Sequence, residues 1–468
     1  MINKIKVFIN LDPKHKFYNR IQYSFDEIFW RINLKMVITR NFNEADVIYG
    51  ENSSSENKCF VIIPRIELYS DKNIKSISFN SKDEIENDIK NSKLDPIGWV
   101  YRFLTLKDEK GVKVSRRDGN KNLKDFPLWK KQISFLPIVE YLCLGILKNL
   151  NRLKITSNNS IGFENYKILL THDTDSSNCS NPLELIYDFV KFIIRRDFRF
   201  LKKVKNSIKY LTKEYEKNPN FGIEKWLDDF GNFKHTFYLS FRNFSNPTLN
   251  DVRSSSSDKK YPWKLISGLG SRTVEFGLHP GINAKNNQKC YTDAKNFLEE
   301  KSGFSVFGLR HHYWSLNWKN PCLSYRKMVN SGIKYDCSLA FPDHFGLRSG
   351  TCLPYRPFDE RYNRPLDLYL IPTSVMDSWI FNLDSQENEN LNKMIKDIKE
   401  FGGIINLDWH TESISENFPY ENHIDKLKEL INKHNLKFQN SFLPFEILKE
   451  WINKIPNKNI LIKYKWIK

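Results

Sequence analysis

The chain has 468 residues, 40% of them hydrophobic and 14% aromatic, which excludes wholesale disorder and is too much material for one ordinary core. Its formal charge of +18 either draws it toward an anionic partner (nucleic acid, acidic lipid or acidic glycan) or reflects nothing beyond a Lys-rich composition. Seven cysteines with no CxxC pair fit neither a disulfide framework nor a zinc ribbon and favour a reducing compartment.

The first residues carry no signal-peptide apolar run, so a cytoplasmic protein is expected, or one peripheral at the inner face of a membrane. Residues 1 to about 95 read as a small α/β unit. Lys6–Ile9 is a strand candidate, and Ile21, Phe25, Ile28, Phe29 and Ile32 recur at helical spacing. Short β-rich runs follow at Met36–Thr39, Val47–Tyr49 and Phe60–Ile63. No phosphate-cradling glycine loop is present, which favours a structural or partner-binding lobe. Residues 106–126 read as a charged, glycine-broken loop. Phe135–Leu150, interrupted by Glu140 and Lys148, is too short and too charged to span a bilayer and reads as a buried helix. The polar stretch Thr156–Ser160 is the expected linker, dividing an N-terminal α/β domain (1–160) from a second domain (161–468).

Beyond Tyr166, strands and helices alternate. Strands are predicted at Lys167–Leu170, Thr236–Leu239, Val274–Leu278, Ser305–Leu309 and Ile404–Leu407. Helices are predicted at Tyr291–Lys301 and Leu323–Val329, along Leu391–Phe401 up to Gly402-Gly403, and through Ile424, Leu427 and Ile431. This alternation implies a parallel sheet, open or closed into a barrel.

In such a sheet, chemistry gathers where strands end. Four strand ends carry polar clusters. In Leu170-Thr-His-Asp-Thr-Asp175, Asp173 and Asp175 share a face; two carboxylates there suit a metal ligand beside a base, or merely a capping turn. In Gly277-Leu-His-Pro-Gly-Ile-Asn283, His279 is a candidate ligand, and Asn283 follows four residues on. In Gly308-Leu-Arg-His-His-Tyr313, Arg310 and His312 share one face and His311 takes the other; the guanidinium would orient a carboxylate base or form a structural ion pair. In Ile405-Asn-Leu-Asp-Trp-His410, Asn406, Asp408 and His410 alternate onto one face, and a histidine there could protonate a leaving amine.

The order of these clusters resembles the polysaccharide deacetylase family. Thr171-His-Asp-Thr-Asp175 is similar to its first motif, His279 to the first histidine of its second, Arg310 to the arginine of its third, and His410 to its last. His235–Leu239 and Tyr335–Ser338 resemble further strands. Phe345–Thr351 with Pro354–Asp359 resembles a branch that joins this barrel to an N-terminal α/β domain. The resemblance spans roughly residues 160–440 and implies a distorted (β/α)7 barrel. It implies an enzyme that removes acetyl groups, N-acetyl first, from carbohydrate, with a divalent metal, zinc for preference. Asp173 would be the base, Arg310 its partner and His410 the acid. Asp175 and His279 would hold the metal, with Asn283 or His312 completing it. Two departures matter: Asn283 stands where the family has a second histidine, and Thr174 separates aspartates that are often adjacent. A barrel that binds glycan without hydrolysing it is therefore the alternative.

Tyr313, Trp314, Arg348 and Trp409 are the expected substrate-binding residues, with core packing the competing fate of the aromatics. The acetylated glycan could be lipid-linked. A basic stretch with Arg195, Arg196, Arg199, Lys202, Lys203, Lys205 and Lys209, interleaved with Phe192, Ile193, Phe198, Leu201 and Val204, suits either an anionic membrane or a solvated helix packed on the barrel. No nucleic-acid-binding motif is present, and no nucleic-acid partner is expected.

Overall fold

The computed structural model describes residues 4–51, 59–70, 81–109, 124, 126–130, 132–157, 159–175, 182–210, 217–241, 261–269, 273–415 and 417–454. Most of the charged loop expected at 106–126 lies outside them.

Strands β1 (Lys4–Ile9), β2 (Lys35–Ile38), β3 (Val47–Tyr49) and β4 (Phe60–Ile62) form a parallel sheet in the order β2-β1-β3-β4. Helix α1 (Tyr18–Arg31) turns Ile21, Phe25, Ile28 and Phe29 inward, the stripe the spacing predicts. Helix α2 (Lys82–Lys90) starts on Ser81, and α3 (Pro96–Leu104) on Asp95, whose carboxylate accepts the N–H groups of Ile97 and Gly98. After the short α4 (Pro127–Lys130), α5 (Ile138–Arg152) is the buried helix expected from its apolar run.

The second sheet is wholly parallel. Its strands are β5 (Lys167–Thr174), β6 (His235–Phe241), β7 (Val274–Pro280), β8 (Gly308–Leu309), β9 (Tyr335–Asp336), β12 (Tyr369–Leu370), β13 (Val375–Met376) and β14 (Ile404–Asp408), in the order β12-β9-β8-β7-β6-β5-β14-β13. Its two edges belong to one run of chain. The N–H groups of Tyr369, Ile371 and Thr373 donate to the β9 side, and that of Ser374 to Asn406 of β14. Residues 369–376 therefore close the ring, giving seven strand positions and the expected distorted (β/α)7 barrel. A small antiparallel pair, β10 (Phe358–Asp359) with β11 (Arg364–Pro365), stands outside it. Around the barrel lie α6 (Pro182–Arg195), α7 (Phe198–Ile208), α8 (Ile223–Asp229), α9 (Trp263–Gly268), α10 (Gln288–Ser302), α11 (Cys322–Asn330), α12 (Ser385–Glu400), α13 (His423–Lys433) and α14 (Pro444–Asn453). Every residue of β5, β7 and β14 is buried, as strands covered on both faces must be. A side chain at Gly308 would strike the Tyr335 ring, so only glycine fits there.

The N-terminal unit and the barrel share one continuous apolar core. Their seam is the 345–359 segment. Arg348 makes a paired contact with Glu109 (2.9 and 3.2 Å), Thr351 bonds Glu140, and the carbonyl of Arg356 accepts from Tyr23 Oη at 2.7 Å. Arg31 lies between Glu27 and Glu140 on the same seam. A buried ion network is costly to break by removing one partner, so this seam fixes how the two units meet. Among the described residues, no helix is long and apolar enough to cross a membrane.

Candidate active site and metal centre

The four polar strand ends converge on one rim. Strand alternation sends Thr171, Asp173 and Asp175 to the barrel interior, and His172 outward onto Trp226 of α8 (ring centroids 4.4 Å apart). Burial pushes the outward pair His172 and His235 down, His235 to about 4, so both belong to the packing between sheet and helices. Arg310 and His312 turn inward while His311 turns outward, its Nε2 bonded to Tyr291 Oη at 2.8 Å.

Asp175, His279 and His312 bring one ligating atom each within 4.8 Å of one another. Asp175 Oδ1 lies 2.9 Å from His279 Nε2, and Asp175 Oδ2 lies 3.3 Å from His312 Nε2. Donors on a tetrahedral zinc with bonds of about 2.0–2.1 Å stand about 3.3 Å apart. Asp175 Oδ1 and His279 Nε2 are both buried without a hydrogen-bond partner, so at 2.9 Å the oxygen lies off the axis along which Nε2 would donate. The other nitrogen of His279 faces the Arg310 carbonyl at 2.7 Å and must donate to it. In the neutral ring that leaves the Nε2 lone pair with no proton to accept beside a carboxylate that donates none, and a cation shared by the two would satisfy both. These residues fit a divalent metal. His312 supplies the third donor; Asn283 lies in the 3-10 turn Ile282–Asn286 that follows β7.

Asp173 sits beside this trio. Arg310 Nη1 reaches Asp173 Oδ1 at 3.0 Å and Asp408 Oδ1 at 2.9 Å, while Nη2 donates to Thr171, Thr373 and Asn406 (2.7–3.2 Å). The guanidinium stacks over the Tyr238 ring at 4.7 Å. Burial drives the Asp408 carboxyl up to about 8 against the pull of Arg310, and the charge of Asp173 adds to the rise.

His410 Nε2 points to Asp175 at 3.6 Å, and its Nδ1 lies 3.1 and 3.2 Å from the two oxygens of Asp377. Burial alone would lower His410; the charge and hydrogen bond of Asp377 outweigh it and raise it well above its usual value. Burial alone would raise Asp377, but His410 and the Ser413 hydroxyl hold it at about 2.

Two consecutive non-glycine residues, Tyr313 and Trp314, adopt φ of +54° directly after His312. Such backbone costs on the order of 1 kcal/mol or more per residue and collects at functional sites. It turns Tyr313 outward, 43% exposed and stacked on His312 at 4.2 Å, and buries Trp314 above Arg310.

A solved structure from Mycobacterium smegmatis, named a putative polysaccharide deacetylase, aligns with 59% of this chain and 87% of its own, at a TM-score of 0.34 and 18% identity. No protein-family model and no curated protein matches the chain.

Two expected substrate-binding residues are corrected. Arg348 is buried in the seam, clamped by Glu109 and stacked 3.5 Å from the Trp318 ring centre. Trp409 is fully buried, its indole N–H donating to the His423 carbonyl at 3.0 Å. It occupies the outward face of its strand, between sheet and helices. Trp314, 6% exposed, offers little ring surface, so Tyr313 is the expected aromatic left at the rim. Asp377 and Asp408 join the site without a role expected from the sequence. The alternation of Asn406, Asp408 and His410 placed Asp408 on the right face, whereas Asp377 follows a two-residue strand too short to announce itself.

Proposed function

We propose that this chain hydrolyses an acetyl group, N-acetyl first, from a carbohydrate. One observation carries the reading: an Asp–His–His donor set, an arginine-held carboxylate and an aspartate-held histidine meet at one barrel rim. A divalent metal held by Asp175, His279 and His312 would supply Lewis acidity toward the acetyl carbonyl and a more acidic water.

The chain's own groups divide the remaining work. Asp173, fixed through Oδ1 by Arg310, receives the proton of the attacking water on its other oxygen. His410, cationic and held by Asp377, donates a proton to the departing amine. Tyr313 presents its ring at the rim, where a sugar face can stack. The rival reading, a barrel that binds glycan without hydrolysing it, rests on Asn283; the third donor that His312 offers weighs against it.

The test is Asp173→Asn, assayed by acetate release from a panel of N- and O-acetylated oligosaccharides. Loss of a general base costs about 10²–10⁴-fold in turnover, while the metal content of the variant stays that of the native chain. Full activity in Asp173→Asn would end this assignment.

A further inference from the structure

The two helices that follow β5 are built inside-out. On α6, Ile186, Phe189, Val190, Ile193 and Ile194 repeat at spacings of three and four, the stripe that a helix of a globular protein turns toward its core. Here the stripe faces solvent, with these side chains 42–76% exposed. The opposite face carries the charge: Asp188 is buried and paired with Lys203 of α7 at 2.8 Å. Phe198, where α7 begins, is 72% exposed. Among the described residues, eight of the thirteen large apolar side chains that stand in solvent belong to this hairpin. So concentrated a patch marks an interaction surface.

The chemistry of the rim selects the occupant. Residues 182–210 carry eight lysines and arginines against three acidic residues. Arg195, Arg196, Arg199, Lys202 and Lys205 are all exposed on this hairpin, Arg199 paired with Asp197 at 2.8 Å. A second copy of the chain would set one cationic hairpin against another. An anionic lipid surface satisfies both features at once, with acyl chains for the stripe and headgroup phosphates for the rim. Because no described helix is long and apolar enough to cross a bilayer, the contact is interfacial.

We infer that the α6–α7 hairpin docks the protein on an anionic membrane. The hairpin is linked to the catalytic rim in two places. Its helix α6 follows the strand that delivers Asp173 and Asp175. On α7, Phe200 packs edge-on against Phe418 at 5.0 Å, and Arg199 lies over the same ring at 5.0 Å. Phe418 comes shortly after the Thr411–Ser415 turn that follows His410. Docking therefore tethers the barrel and its rim to the lipid surface, which selects a glycan carried on or close to a membrane. That last step rests on the deacetylase reading; the docking does not.

The experiment is co-sedimentation of the full chain with vesicles of phosphatidylcholine alone and of phosphatidylcholine mixed with phosphatidylglycerol. Binding to the mixed vesicles is expected, weakening with salt. Two double variants, Ile193→Asp/Ile194→Asp and Arg195→Glu/Lys202→Glu, change exposed side chains only. Each should lower the vesicle affinity about tenfold or more while leaving the circular dichroism melt unchanged. No binding to mixed vesicles at low salt overturns the inference, and so does equal binding to both compositions. A dimer of the native chain that Ile193→Asp/Ile194→Asp dissolves, without vesicle binding, would give this face to a second copy and overturn it as well. Because binding is read without activity, failure of the hydrolase assignment leaves this result standing.

Discussion

Asp377→Asn asks whether His410 is a proton donor or a bystander. Asp377 faces four donors: His410 Nδ1 at 3.1 and 3.2 Å from its two oxygens, the backbone N–H of His410 at 3.1 Å, the Ser413 hydroxyl at 2.6 Å and the Ser378 N–H at 2.7 Å. Asparagine keeps the volume and one acceptor oxygen but loses the charge. At 3.1 Å and an effective dielectric near 20, the gross attraction between the two charges is on the order of 5 kcal/mol, part of it offset by desolvation. A carboxylate behind a metal-bound histidine is worth about 10–100-fold, and behind a histidine that moves protons about 10⁴-fold, so we expect a fall in kcat of at least about tenfold. The pH dependence is more diagnostic. Asp377 raises His410 against the lowering effect of burial, and the donor must be protonated to act. Activity is therefore lost as pH rises through the His410 pKa, and removing the carboxylate moves that alkaline limb to lower pH. Initial rates of acetate release, measured from acid to alkaline pH, read both effects. A variant with native kcat and an unmoved alkaline limb would refute His410 as the acid.

Burial lifts the Glu275 carboxyl from 4.5 to about 7. The folded state thus keeps a proton that the unfolded chain releases, so stability declines as pH rises from about 4.5 to about 7 and levels off above. Glu275→Gln should remove roughly 3 kcal/mol of that decline; denaturant titrations at the two ends of the window check it, and an unchanged slope counts against it. Trp409→Ala should cost about 3–5 kcal/mol of stability as a core deletion, whereas Tyr313→Ala should stay within about 0.5 kcal/mol and raise KM instead. Equal melting losses in the two variants would contradict their assignment to core and rim.

Much of the architecture was legible because strands buried on both faces read as apolar runs ending in polar residues. Lys167–Thr174, Val274–Pro280 and Ile404–Asp408 all start where that pattern placed them, the first running to twice its predicted length and the others one or two residues further. Alternation also assigned faces correctly: Arg310 and His312 inward, His311 outward. Alternation fixes a face only while its strand persists, which is why the two-residue strand before Asp377 gave no signal. Trp409 and Arg348 misled because residue type does not report depth. An indole can stack on a sugar or fill a core, and a guanidinium can bind substrate or clamp a seam; only the position of Glu109 and of α13 decides. The apolar stripe of α6 predicts a buried face, and the fold leaves it outside.

The metal chemistry depends on the three donors gathered at Asp175, His279 and His312. The most direct measurement is an anomalous-difference map at the zinc absorption edge from crystals grown with zinc. It should show one peak within about 2.0–2.2 Å of an Asp175 oxygen, His279 Nε2 and His312 Nε2. A map without that peak, or with zinc held by other side chains, would contradict it.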